Sequence, residues 1–144
     1  MSVKQILEEK GRDVFTLKAD VTLGEAARAL ATKRIGALIL LDEDGGLAGI
    51  LSERDVVRMI GTQGPACLEE GVAEVMTRKI VTCDEEATVN EVMELMTRGR
   101  FRHIPVTEHG KLVGIISIGD VVKRRIEDAE REAEDMRTYI AAAG

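Results

Sequence analysis

Apolar and polar positions follow two periodicities along the chain, and the same pattern occurs twice. Leu23, Ala26, Ala27 and Leu30 fall at i, i+3, i+4 and i+7, and Val89, Val92, Met93 and Met96 keep the same spacing. Each set predicts an amphipathic helix with one buried stripe. Each opens with Thr-x-x-Glu, at Thr22 and Thr88, a pairing in which threonine and glutamate satisfy each other's backbone donors. Short extended stretches precede these helices, at 14–17 and 80–83. An apolar run, Ala37-Leu38-Ile39-Leu40-Leu41, follows the first helix, and His103-Ile104-Pro105-Val106 follows the second. Each run leads through a Gly-containing turn to another apolar stretch, 47–51 or 112–116, which predicts a hairpin. A further helix starts at Ser52 and at Ser117. The order β-α-β-β-α is thus written twice.

The match extends to residue identity. Thr22-Leu23-Gly24-Glu25 aligns with Thr88-Val89-Asn90-Glu91, and Arg34 with Arg100. Gly45-Gly46-Leu47-Ala48-Gly49-Ile50-Leu51-Ser52 aligns with Gly110-Lys111-Leu112-Val113-Gly114-Ile115-Ile116-Ser117, and Asp55-Val56-Val57 with Asp120-Val121-Val122. The offset is 66 early and 65 late, so the acidic turn near Asp42 is one residue shorter in the second copy. Two copies at this period indicate a duplicated compact unit, not an array. The fold class expected is α/β (α+β), with two β-α-β-β-α repeats packed sheet-to-sheet about a pseudo-twofold. Gly61-Thr62-Gln63-Gly64-Pro65 is expected to break the last helix of the first repeat. The segmentation read from the chain is 1–62 for an N-terminal helix and first repeat, 63–76 for a connection, 77–125 for the second repeat, and 126–144 for a C-terminal helix extension. The N-terminal helical turn, 3–10, is expected to end at Gly11 and dock on the pair. In the last helix Val122, Ile126, Ala129, Ala133, Met136 and Ile140 are spaced 4-3-4-3-4, the rhythm of a helix–helix seam. The small Ala129 and Ala133 permit close approach, which favours a homodimer contact over packing on the chain's own domain.

Composition narrows the function. The 144 residues are 44% apolar and 32% charged, as in ordinary globular proteins. No apolar run approaches the ~20 residues that span a bilayer, and no basic-then-apolar leader opens the chain. A cytoplasmic protein is expected, with no membrane partner. Twenty Lys and Arg against 26 Asp and Glu leave a net charge of −6, which disfavours nucleic acid. Phe15, Phe101 and Tyr139 are the only aromatics, too few for base-stacking platforms. Cys67, Cys83, His103 and His109 form no metal-ligand spacing; both cysteines read as small hydrophobes, and no metal is expected. No P-loop, dinucleotide fingerprint or nucleophile with a positioned base is present, so no catalytic residue or catalytic cofactor is assigned and the chain is not expected to be an enzyme.

The stretch Gly49-Ile50-Leu51-Ser52-Glu53-Arg54-Asp55, repeated as Gly114-Ile115-Ile116-Ser117-Ile118-Gly119-Asp120, resembles the CBS domain family, named after cystathionine β-synthase. Val75-Met76-Thr77 and Arg100-Phe101-Arg102-His103-Ile104-Pro105-Val106 carry the same resemblance. It covers roughly 3–125 and is that of a stand-alone tandem pair. It implies a regulatory module that senses energy or metabolic state by binding an adenosine-containing nucleotide between its repeats and acts on a partner in trans. AMP is the first choice of ligand, ahead of ATP or NAD. An NAD- or S-adenosylmethionine-binding pair and a ligand-free homo-oligomeric scaffold are the alternatives.

A single Ser-x-x-Asp is an ordinary helix cap, but two copies at matched positions of a duplicated unit favour a ligand role. The helix N-terminus suits phosphate, and aspartate can accept hydrogen bonds from ribose hydroxyls. By the resemblance, one ligand cleft takes Thr82, Arg100, Arg102, His103 and Ile104 with Ser52, Arg54 and Asp55. The other takes Thr16, Arg34, Gly36, Ala37 and Leu38 with Ser117 and Asp120. The first set is the more basic and is expected to prefer a phosphorylated nucleotide. The second suits a neutral adenosine moiety, one end of a dinucleotide, or nothing. His103 stands beside arginines that disfavour its protonation, which suits a neutral donor to phosphate or backbone.

Overall fold

Helix α1 (Val3–Lys10) precedes the first repeat in the sequence but does not belong to its core. Val3 N–H donates to the Ala87 carbonyl at 2.9 Å, Ser2 pairs with Thr88 in an antiparallel bridge, and Leu7 is fully buried among Val89, Val92, Ile104 and Ile116. The structure, a computed structural model, describes residues 2–143. In it the chain closes into two units, one of Asp13–Val81 and the other of the segment ending at Arg12 together with the chain from Thr82 onward. Sequence order groups α1 with the first repeat; burial of Val3, Ile6 and Leu7 places it with the second.

The unit of the first repeat holds β1 (Thr16–Lys18), α2 (Leu23–Lys33), β2 (Ala37–Leu41), β3 (Leu47–Ser52) and α3 (Glu53–Gln63). Strand β1 runs parallel to β2, and β2 antiparallel to β3, in the order β1-β2-β3. The predicted capping box forms: Glu25 N–H donates to Thr22 Oγ1 at 3.1 Å, and Thr22 N–H to Glu25 Oε2 at 3.3 Å. Helix α3 runs on through Gly61 to Gln63, and the break expected at 61–65 comes at Gly64 (φ 81°), before Pro65. Two 3-10 turns, Pro65–Glu69 and Val72–Glu74, close the unit. Val72, and Met76 just beyond the second turn, enter the core with Leu23, Leu30, Leu38 and Leu51.

The unit of the second repeat holds α4 (Val89–Gly99), the hairpin β4 (His103–Glu108) and β5 (Lys111–Ser117), and α5 (Ile118–Ala143). The extended stretch expected at 80–83 shrinks to one parallel bridge, Cys83 with Val106. The shorter turn anticipated from the offset is present: β4 and β5 are joined tightly at His109-Gly110, both at positive φ. The first hairpin instead makes a longer turn in which Asp42 Oδ1 accepts from the N–H groups of Asp44 and Gly46.

A second level of duplication follows from these contacts. In the second unit the Gly114 backbone lies against Leu7; in the first unit the equivalent Gly49 lies against Met76. Val3 and Val72 are both fully buried, and the segments carrying them make matching bridges, Ser2 with Thr88 and Gly71 with Thr22. Each repeat is thus completed by the segment that precedes the other repeat in sequence.

Candidate functional site

The chemistry-bearing residues gather where a hairpin's second strand turns into a helix. In the first unit Ala37 pairs with Ser52, and Glu53 N–H donates to the Gly36 carbonyl at 3.0 Å. In the second unit His103 pairs with Ser117, and Ile118 N–H donates to the Arg102 carbonyl at 2.8 Å. The register therefore sets the start of each first hairpin strand beside the Ser-x-x-Asp turn of its own repeat. Gly36, Ala37, Ser52 and Asp55 meet in one unit; Arg102, His103, Ser117 and Asp120 meet in the other.

Both turns are reciprocal caps. Ser52 N–H and Oγ–H donate to Asp55 Oδ2 at 2.8 and 3.0 Å, and Asp55 N–H donates to Ser52 Oγ at 3.3 Å. Ser117 N–H donates to Asp120 Oδ2 at 2.8 Å, and Asp120 N–H to Ser117 Oγ at 3.2 Å. The first and third amides of each helix are thus engaged within the fold.

The acids differ in their outer partner. Asp55 Oδ1 accepts from Arg58 Nη2 at 3.1 Å, one turn along the same helix. Asp120 Oδ2 accepts from Lys10 Nζ at 2.7 Å, from the far end of α1, and Lys10 also donates to the Ile115 carbonyl at 3.0 Å. Burial pushes the Asp120 carboxyl upward, but the Lys10 hydrogen bond, the Ser117 backbone donor and the Lys10 charge outweigh it and hold it below its ordinary 3.8. Nothing local in the sequence points to Lys10. It is simply a basic residue in the last turn of a short helix, and 110 residues separate it from its partner. Arg58 is a local partner by contrast, and its i,i+3 spacing from Asp55 is readable along a helix face.

Arg34 and Arg100 occupy equivalent left-handed positions, φ 54° and 57°, where α2 and α4 end. Non-glycine residues seldom adopt that conformation. Both side chains are exposed, as are those of Arg54, Arg102 and Thr82. Thr16 begins β1 opposite Ile39. Leu38 and Ile104 were expected at the ligand, but their side chains are fully buried in the two cores. Only their backbone can face a ligand, because the alternation of the strand turns their side chains inward. A cavity of about 80 Å³ beside Asp120 is lined by Ile6, Glu9, Lys10, Lys123, Arg124 and Glu127. It is far smaller than the ~300 Å³ at which small-molecule sites begin.

Cys67 is buried in its 3-10 turn, and burial, aided by Asp84, pushes the Cys83 thiol up to about 12. A thiol raised in this way lacks the ready ionisation of a reactive cysteine. Among the described residues no three His, Cys, Asp or Glu side chains are placed to hold a metal, and no helix is long and apolar enough to cross a membrane.

The family profile described as CBS domain matches the chain twice, over residues 3–62 and 72–127. Among solved structures, a CBS-domain containing protein from Agrobacterium tumefaciens is 51% identical and superposes with a TM-score of 0.84 over 86% of this chain and 92% of that one. The CBS domain pair of protein MJ0100, in complex with 5-methylthioadenosine and S-adenosyl-L-methionine, is 26% identical, with a TM-score of 0.78 over 89% of this chain and 98% of that one. A CBS domain protein from Pyrobaculum aerophilum complexed with AMP is 27% identical, with a TM-score of 0.75 over 83% of this chain and 89% of that one.

Proposed function

This chain belongs to the CBS-domain family, and from that premise we propose that it is a cytoplasmic, homodimeric regulatory module that binds an adenosine-containing nucleotide and acts on a partner protein in trans. The observation that carries the reading is the duplicated Ser-x-x-Asp turn: two half-buried carboxylates at matched positions of repeats similar in structure to one solved with AMP. Each carboxylate can accept hydrogen bonds from ribose hydroxyls while its serine keeps the helix start capped. Arg54, Arg100 and Arg102 supply the cations that a phosphate requires on a chain of net charge −6. AMP is the ligand this reading favours, since a compact monophosphate needs few cations. The reading assigns no chemical step to the chain; occupancy is its output, through differential affinity for two arrangements of the protein.

A second reading, S-adenosylmethionine, has one observation in its favour, the S-adenosyl-L-methionine and 5-methylthioadenosine carried by the MJ0100 pair. Calorimetric titration of nucleotide-stripped protein with AMP, ATP, NAD and S-adenosylmethionine separates the two. Saturable AMP binding, weakened about tenfold or more by Asp55→Ala and by Arg100→Ala, is the expected result. Binding of S-adenosylmethionine alone selects the second reading. Heats indistinguishable from dilution for all four ligands reject both.

A further inference from the structure

Helix α5 carries two opposite faces, and only one is used within its own unit. Val121 and Arg124 are buried, and Arg124 pairs with Glu9 of α1 at 2.5 Å and with Asp128 at 3.6 Å. From Ala129 to Ala143 every residue is exposed. A solvated helical segment of that length is marginal in water unless its apolar stripe is covered. The stripe here is Val122, Ile126, Ala129, Ala133, Met136 and Ile140. Its large members stay open to solvent, Ile126 at 54%, Met136 at 59% and Ile140 at 61%. In heptad terms Ile126, Ala133 and Ile140 are a positions and Val122, Ala129 and Met136 are d positions. Val121, Arg124 and Asp128 fall on the opposite c and f face, so packing on the unit leaves the a/d seam free.

The flanking charges say what covers the seam. The g positions carry Arg125 and Glu132, and the following e positions carry Glu130 and Arg137. In a parallel, in-register pair each g residue faces the e residue five places on in the other helix. Arg125 then meets Glu130 and Glu132 meets Arg137, opposite in sign at every contact and doubled by symmetry. An antiparallel pair centred on the same stripe sets Glu130 against Glu130, Glu132 against Glu132 and Lys123 against Arg137, all of like sign. The small Ala129 and Ala133 layers let two helices approach closely.

From this charge pattern we infer that the α5 seam binds the α5 of a second copy of this chain as a parallel, in-register, two-stranded coiled coil. The inference rests on the homodimer of the proposed function for its stoichiometry and adds its arrangement; its test involves no nucleotide, so either can fail alone. In such a dimer the two Ala133 residues face each other across the seam. Full-length Ala133→Cys is expected to give a disulfide-linked dimer on mild oxidation. The unaltered chain, with Cys67 buried and Cys83 poorly ionised, is expected to give none. Sedimentation velocity supplies the second arm. Glu130→Arg is expected to weaken self-association about tenfold, because two ion pairs become two like-charge pairs, and Arg125→Glu in the same chain is expected to restore it. Unchanged helicity by circular dichroism shows that these exposed substitutions leave the fold intact. Three outcomes overturn the inference: a monomer at every concentration, cross-linking only when Ala129→Cys and Ala133→Cys chains are mixed, or a dimer indifferent to the charge exchange.

Discussion

Asp55 and Asp120 occupy the same place in two copies of one motif, yet the fold uses them differently. The inner contacts match, with serine and aspartate capping each other at distances that differ by no more than 0.1 Å: 2.8 and 3.3 Å against 2.8 and 3.2 Å. The outer contacts diverge. Asp55 meets a largely exposed arginine of its own helix, whereas Asp120 is tied to Lys10 of a helix from the other end of the chain. Duplication copied the local hydrogen bonds, and the tertiary partner then gave one carboxylate a second structural task. The same contrast runs through the segments that complete each unit. A regular helix, α1, seats Leu7 on Gly114, whereas a short 3-10 turn leads to Met76 on Gly49.

The contrast breaks most sharply at the hinge of that second comparison. Leu7→Ala empties a fully buried position that holds α1 in the second unit, and a loss of about 2–5 kcal/mol is expected. Chemical denaturation of the full chain measures it. A loss under ~1 kcal/mol would mean that α1 is not integral to the unit. The glycines come next. A Cβ at Gly114 would stand 2.7 Å from a Leu7 methyl carbon, while at Gly49 it would press on the flexible thioether of Met76. Gly114→Ala is expected to cost about 1–3 kcal/mol. Gly49→Ala should cost less, because an unbranched methionine can move aside. Equal unfolding midpoints for the two variants would erase the distinction.

The smallest effect sharpens the comparison of the acids. Asp120 ionises below its ordinary 3.8 in the folded chain. Its contribution to stability is therefore present above its unfolded pKa and is lost as pH falls through the lowered folded value. Lys10→Met removes the donor, and a cost of about 0.5–1 kcal/mol at neutral pH is expected for a partly exposed pair. The difference between the two proteins should shrink below about pH 4, as Asp120 takes up its proton. Arg58→Met at the Asp55 turn is expected to cost less, since the Arg58 side chain is 69% exposed. A Lys10→Met effect unchanged by acidification would remove Asp120 as its cause.

Much of the candidate site is legible in the sequence. The serines, both aspartates and the strand starts fall where the motif puts them, because each cap is made within three residues and each hairpin register within one turn. The ligand set was less readable. Leu38 and Ile104 look like site residues in a linear motif, but strand alternation turns their side chains into the cores. Lys10 looks like an ordinary last-turn lysine, and nothing within 100 residues of it hints at Asp120.

By itself the sequence determined the duplication, the helices with their Thr-x-x-Glu starts, the hairpins, the one-residue difference between their turns and the seam along α5. Each of these follows from interactions between residues a few positions apart, which periodicity and capping record directly. Only the tertiary structure decided that α1 completes the second unit, that Lys10 neutralises Asp120 and Glu9 pairs with Arg124, and that α5 spends its c and f face on its own unit. The ties of α1 to Ala87, Asp120 and Arg124 join groups more than 80 residues apart. They turn on which apolar surfaces can be buried together, a competition among distant segments that no local pattern encodes.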